Sequence, residues 1–165
     1  MKKLDWRRGK YPPDAVEAEA LQRAFDAARE LVLSRSGLDS LPLPERRKAR
    51  LKLLRSLCGS YPCPALAGSV VLGSRGVDKL KSSKEDPLTN DALMEIGRLL
   101  KQAEFAYARP DESRDVNLRD VVRLVCRVRV KDCVAAIKLT VKRYAQDEEV
   151  PRLYALEVVG MDPAV

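Results

Sequence analysis

The run from Val121 to Tyr144, VVRLVCRVRVKDCVAAIKLTVKRY, alternates aliphatic residues with basic or small ones along nearly its whole length. Successive side chains of a strand point to opposite faces, so a period of two predicts extended chain rather than helix. A tight turn at Lys131-Asp132 sets Val130 opposite Cys133, and each outward step then pairs Val128 with Ala135, Cys126 with Ile137 and Leu124 with Leu139. In this register one face is wholly apolar: Val122, Leu124, Cys126, Val128 and Val130 meet Cys133, Ala135, Ile137, Leu139 and Val141. The other carries Arg123, Val125, Arg127 and Arg129 with Val134, Ala136, Lys138, Thr140 and Lys142. A slip of one residue would drive cations of one strand into the core, at a cost of roughly several kcal/mol each, so the register is strongly specified.

A later run, RLYALEVV, supplies a third strand. With Tyr154, Leu156 and Val158 facing the core, Leu153, Ala155, Glu157 and Val159 join the outer face, where Glu157 is a lone carboxylate among cations. Between Arg119 and Arg143 there are eight cations and only Asp120 and Asp132 as anions. Two readings of the basic face stay open. It is either a solvated surface of ordinary kind or a platform for an anionic partner.

Helical patterns precede the strands. Asp14 and Glu17 form a capping box, and Ala18, Leu21, Phe25, Ala28 and Val32 share one face, which predicts a helix over Ala15–Ser34. A second helix runs from Pro44 to Gly59, with Leu51, Leu54 and Leu57 as a narrow stripe and Arg46, Arg47, Lys48 and Arg50 among the cations around it. SYPCPALAG reads as a connector, SVVLGS as a short strand and RGVDKLKSSKEDPLTN as a polar loop. A third helix starts at Thr89 or Asn90 and aligns Leu93, Ile96, Leu100, Ala103 and Tyr107. The expectation is an α+β fold in which N-terminal helices pack on one face of a C-terminal antiparallel meander. Residues 1–62 form a helical extension and residues 63–165 the α+β domain.

Composition narrows the chemistry. The 165 residues include no histidine, which excludes histidine-based catalysis. The formal charge is +7, and residues 1–62 carry most of the excess. Such a balance favours polyanionic partners. The four cysteines suit a reducing, cytoplasmic setting, and Cys58 and Cys63 lack the spacing and the histidine partners of a usual zinc site, so no metal or other cofactor is expected. No apolar run approaches the roughly 18 residues of a membrane span, and Met1–Lys10 lacks the apolar core of a signal peptide.

The order SVVLGSRGVDKLKSS, ALMEIGRLLKQAEFAYA, AAIKLTVKRY and RLYALEVV resembles a branch of the barnase, EndoU, colicin tRNase and RelE-like nuclease superfamily found in phage and mobile-element polyproteins. The likeness covers residues 68–160 and rests on a Gly-x-x-Lys after the first strand, Gly76 to Lys79, and on a hydrophobic-Lys-hydrophobic strand followed by a Tyr-containing one. It implies a helical layer on one sheet face and metal-independent RNA cleavage on the other. Attack of a 2′-hydroxyl on its own phosphate requires a base, cations for the developing charge and an acid for the leaving oxygen. The residues placed to serve are Lys79, Lys138, Arg127 and Glu157, with Arg123, Arg129, Thr140, Lys142 and the helical Arg46, Arg47, Lys48 and Arg50 as RNA contacts. Tyr154 qualifies as the acid only if it points away from the core. The expected partners are RNA, such as tRNA or rRNA, and an acidic inhibitor or phage protein. A non-catalytic nucleic-acid binder and a protein-interaction module are the competing classes.

Overall fold

The computed structural model describes residues 4–7, 12–110, 117–145 and 150–163. Its elements are α1 (Ala15–Ala27), β1 (Glu30–Val32), α2 (Leu43–Ser56), β2 (Gly59–Cys63), β3 (Gly68–Leu72), α3 (Ser74–Leu80), α4 (Pro87–Leu93), α5 (Ile96–Gln102), β4 (Glu104–Pro110), β5 (Leu118–Val130), β6 (Cys133–Tyr144) and β7 (Arg152–Pro163). The class is α+β.

The central hairpin has the register that alternation dictates, from Val130↔Cys133 out to Val121↔Lys142. Lys131 takes φ 53°, the positive φ that closes the short turn. Around the hairpin a seven-stranded sheet assembles in the order β1-β5-β6-β7-β3-β2, with β4 also on β5. It is mixed rather than a simple meander, because β1 pairs parallel with β5 and β3 parallel with β7. A boundary at residues 62/63 falls inside β2, which shares this sheet.

Both faces are covered, each by different helices. On one face Leu54 of α2, Leu80 of α3, Leu93 of α4 and Leu99 of α5 close over Leu124, Ile137 and Leu139, all fully buried. Helix α1 lies on the opposite face, where Leu21, Ala24 and Phe25 join Trp6 against Val125, Ala136 and Val159. The N-terminal helices therefore do not all share one side. The physical reason is that the so-called basic face carries an apolar island of valine and alanine between its cations, which matches the apolar stripe of α1. The capping box at Asp14 and Glu17 forms, and Arg109 of β4 donates Nε–H to Glu17 Oε2 at 2.8 Å, tying the helix start to the sheet.

Several boundaries differ from the expectation. Helix α1 ends at Ala27, and the next apolar residues, Leu31 and Leu33, alternate with exposed Val32 as an edge strand on Arg127–Arg129 of β5. Part of the connector is β2, the polar loop contains α3, and the third helical pattern divides into α4, α5 and β4. Short alternating runs and short helical turns are hard to tell apart when both bury the same residues.

Candidate functional site

Gly76 explains how the cleft is built. A Cβ added there would come within 2.5 Å of the Leu153 carbonyl oxygen and 2.9 Å of Leu72 Cδ1, so only glycine lets α3 press this close to β7. Lys79 follows three residues later, on the same side of the helix, and its Nζ lies 5.3 Å from the ring centroid of Tyr154. Lys142 of β6 brings its Nζ to 3.6 Å from the same centroid.

Tyr154 faces out because β7 bulges. Thr140 pairs with Ala155 but Val141 with Leu153, leaving Tyr154 as the extra residue. Leu153 and Leu156 are both buried on the first face, a placement that plain alternation forbids for residues three apart. The expectation that Tyr154 faces the core and Leu153 faces out is thus reversed at those two positions, whereas Leu156, Val158, Ala155 and Glu157 keep theirs.

Burial of the Tyr154 phenol opposes its ionisation, but hydrogen bonding from Lys79 and the charges of Lys142 and Lys79 outweigh that, so the group is held below the ordinary tyrosine range. Arg75, Arg152 and Tyr144 complete a small recess around it. Lys79 also borders a cavity of about 870 Å³ whose far wall includes Ala155 and Glu157. Glu157 lies opposite Lys138 in the β6–β7 ladder, with Lys138 Nζ 3.7 Å from Glu157 Oε2. Lys138 is buried, and desolvation lowers its pKa despite the opposing pull of Glu157.

Lys79 and Glu157 thus border one cavity, Lys138 pairs with Glu157, and Lys79 and Lys142 meet at Tyr154. Arg127 is not part of it: its guanidinium stacks 4.3 Å from the centroid of Phe25 under α1. Arg129 is bonded to Glu30 of β1, and Arg123 lies half-buried, with two of its nitrogens enclosed and without hydrogen bonds. On α2 the cations divide by side. Arg50 is 1 % exposed and bonds Asn90 Oδ1 at 2.6 Å, the Ser83 carbonyl at 2.6 Å and the Lys84 carbonyl at 2.9 Å. Arg46 leans on Glu85 at 3.8 Å. These two hold α2 to the loop after α3; Arg50 is withdrawn from any surface contact and Arg46 is half-buried, whereas Arg47 and Lys48 remain exposed.

Missed from sequence were the outward Tyr154 and its neighbours Arg75, Tyr144 and Arg152. The signal was present in RLYALEVV, since two leucines three apart in a strand call for a bulge.

Among the described residues no group of three or more Cys, Asp or Glu gathers as a metal site, and no helix is long and apolar enough to cross a membrane. The four cysteines are free thiols, with Cys63 and Cys126 buried and their pKa values raised by desolvation.

Fold and site together define a small α+β domain with a cationic, tyrosine-bearing cleft at one end of a mixed sheet. The family model of large polyvalent protein-associated domain 3 matches residues 43–154, more than half of the chain, and the chain belongs to that family. This agrees with the phage and mobile-element setting of the resemblance above. The match runs from α2 to Tyr154 and leaves α1 outside it. No curated protein and no solved structure matches the chain.

Proposed function

We propose that the domain binds RNA and cleaves it without a metal, at the cleft between α3 and β7. The observation that carries this reading is the Tyr154 phenol set against two lysines from different elements, one of which, Lys79, also lines the cavity bordered by Glu157. Glu157 removes the proton of a 2′-hydroxyl, whose oxygen bonds to the adjacent phosphorus. Lys79 and Lys142 offset the charge that develops on the phosphoryl oxygens. Tyr154 donates its proton to the departing 5′-oxygen, leaving a 2′,3′-cyclic phosphate and a 5′-hydroxyl. Tyr154 and Glu157 lie three residues apart on β7, which separates them by roughly 10 Å along the strand, room for a phosphodiester between acid and base. Lys138 pairs with Glu157 and orients it.

The test is incubation of the purified chain with tRNA and rRNA fragments in the presence of EDTA, with the ends of any product identified. Cyclic phosphate ends, lost in Tyr154→Phe, support the reading; intact RNA at high protein excess removes the enzymatic part.

The alternative is a non-catalytic nucleic-acid binder, favoured by exposed Arg47, Lys48, Lys52 and Arg55 on the outer side of α2. Affinity that falls steeply with salt, survives loss of Lys142 and disappears with those α2 cations would mark it.

A further inference from the structure

Ala155, Leu156, Glu157 and Val158 all line the large cavity. Side chains of a strand alternate between faces, so a cavity above one face meets every second residue. One that meets four in succession reaches past the face to the edge of the strand, and Val130 and Cys133 in its lining show that it also extends over the apolar face toward the hairpin tip. The other edge of β7 is occupied by β6, from Lys142↔Arg152 onward. On the cavity side β3 reaches β7 only at Val71↔Arg152. Beyond Tyr154, then, the second edge of β7 has no strand on it among the described residues, and its outward N–H and C=O groups face the cavity. The opposing wall is the start of α4 and the loop before it, with Lys84, Pro87 and Leu88.

We infer that this edge is a docking site for an extended, acidic-apolar segment of a partner polypeptide, which joins the sheet as a further strand beside β7. The gap suits a strand: about five residues would run the roughly 17 Å from Ala155 toward Gly160. Its chemistry selects the occupant. Leu88, Ala155 and Val158 offer apolar contact, and Lys79, Lys84 and Lys131 stand exposed around the rim. The carboxylates of the cavity are already engaged. Asp86 accepts from the Thr89 N–H at 2.8 Å as the cap of α4. Asp91 accepts from the Ser36 N–H at 2.7 Å and pairs with Arg35 at 3.2 Å, and Glu157 pairs with Lys138. Counted over the lining, the four cations Arg35, Lys79, Lys84 and Lys131 outnumber the three carboxylates, so the net charge that meets an occupant is positive. A nucleic-acid strand lacks the alternating donors and acceptors that a strand edge requires, and a second copy of this chain would oppose the same three lysines to themselves. An acidic polypeptide meets both demands.

Lys79 belongs to this rim and to the Tyr154 cluster, so an acidic side chain at the edge also draws a cation away from the phenol. The inference does not rest on RNA cleavage, because strand addition is measured without RNA.

The probe is a blocked ten-residue peptide of alternating valine and glutamate, added to the full chain. Binding is followed by fluorescence anisotropy and by hydrogen exchange of the backbone amides. The expected result is saturable binding that slows exchange at the alternate amides of Ala155–Val158 that point away from β6. Methylating alternate peptide nitrogens on the pairing edge abolishes it, and a valine-lysine peptide fails to bind. Lys84→Glu with Lys131→Glu, both exposed positions, weakens binding at least tenfold while the far-ultraviolet spectrum is unchanged. No binding at millimolar peptide, equal binding of the methylated or lysine peptide, or protection elsewhere would overturn the proposal. Reversible self-association of the chain that protects the same amides would overturn the assignment to a partner.

Discussion

Lys142 Nζ stands 3.6 Å from the centroid of the Tyr154 ring, and the two side chains, on neighbouring strands, share a face because one extra residue in β7 turns the phenol outward. That contact makes the phenol easier to ionise. The phenolate absorbance of Tyr154, isolated by difference from Tyr154→Phe, is expected to titrate below the range of ordinary tyrosines, and Lys142→Gln to move it upward. As the proton donor in cleavage, Tyr154 makes the rate fall as pH rises through its own pKa. The alkaline limb therefore shifts to higher pH in Lys142→Gln. A limb unmoved by that substitution would assign it to another group.

Gly76→Ala tests whether close approach of α3 positions Lys79. The new methyl meets the Leu153 carbonyl and Leu72. A loss of about 1–3 kcal/mol of stability in urea titration is expected, together with a rise in the Tyr154 pKa as Lys79 recedes. Loss of stability with the Tyr154 titration unchanged would separate the helix from the site.

Arg50→Ala removes a buried guanidinium that serves Asn90 and two carbonyls. Burial lowers its pKa, against the pull of Glu85 and Asp86. Leaving those acceptors unmet should destabilise the chain by about 3 kcal/mol or more, while the exposed Arg47→Ala stays within about 0.5 kcal/mol. Salt-dependent RNA affinity should respond in the opposite order, falling for Arg47→Ala and not for a folded Arg50→Lys.

The docking of α1 carries a pH signature. Hydrogen bonding from Arg109 holds the Glu17 pKa below the usual carboxylate range, against desolvation, and Arg143 does the same for Asp120. A carboxylate whose pKa is lower folded than unfolded stabilises fully above the unfolded value and loses that contribution as pH falls through the folded one. Arg109→Gln should therefore be less stable than the wild type at neutral pH, with the gap narrowing as acid protonates Glu17. Denaturant midpoints across the acid range check this; a gap independent of pH contradicts it.

The hairpin was legible residue by residue, because burial of one face leaves a single register that keeps Arg127, Arg129 and Lys138 off the wholly apolar face. The α+β class followed from the same periodicity. What escaped depended on tertiary partners. Val125, Ala136 and Val159 read as spacers among cations until α1 supplied the leucine and phenylalanine that cover them. Arg127 read as a solvent-facing cation until Phe25 lay beneath it. Arg50 differs from Arg47 only in which side of α2 meets the rest of the fold, and a narrow leucine stripe does not fix that angle. The gathering of Lys79 with Glu157 was expected as a possibility of the family pattern, yet the route to it, glycine contact plus a bulge, lies in backbone geometry that residue types only hint at.

The most direct measurement is cleavage of tRNA and rRNA fragments by the full chain in EDTA, compared with Tyr154→Phe at equal protein. The wild type is expected to yield 2′,3′-cyclic phosphate products, and the variant to cleave about 10²–10⁴-fold more slowly. RNA left intact by the wild type, or cut equally fast by both, would contradict it.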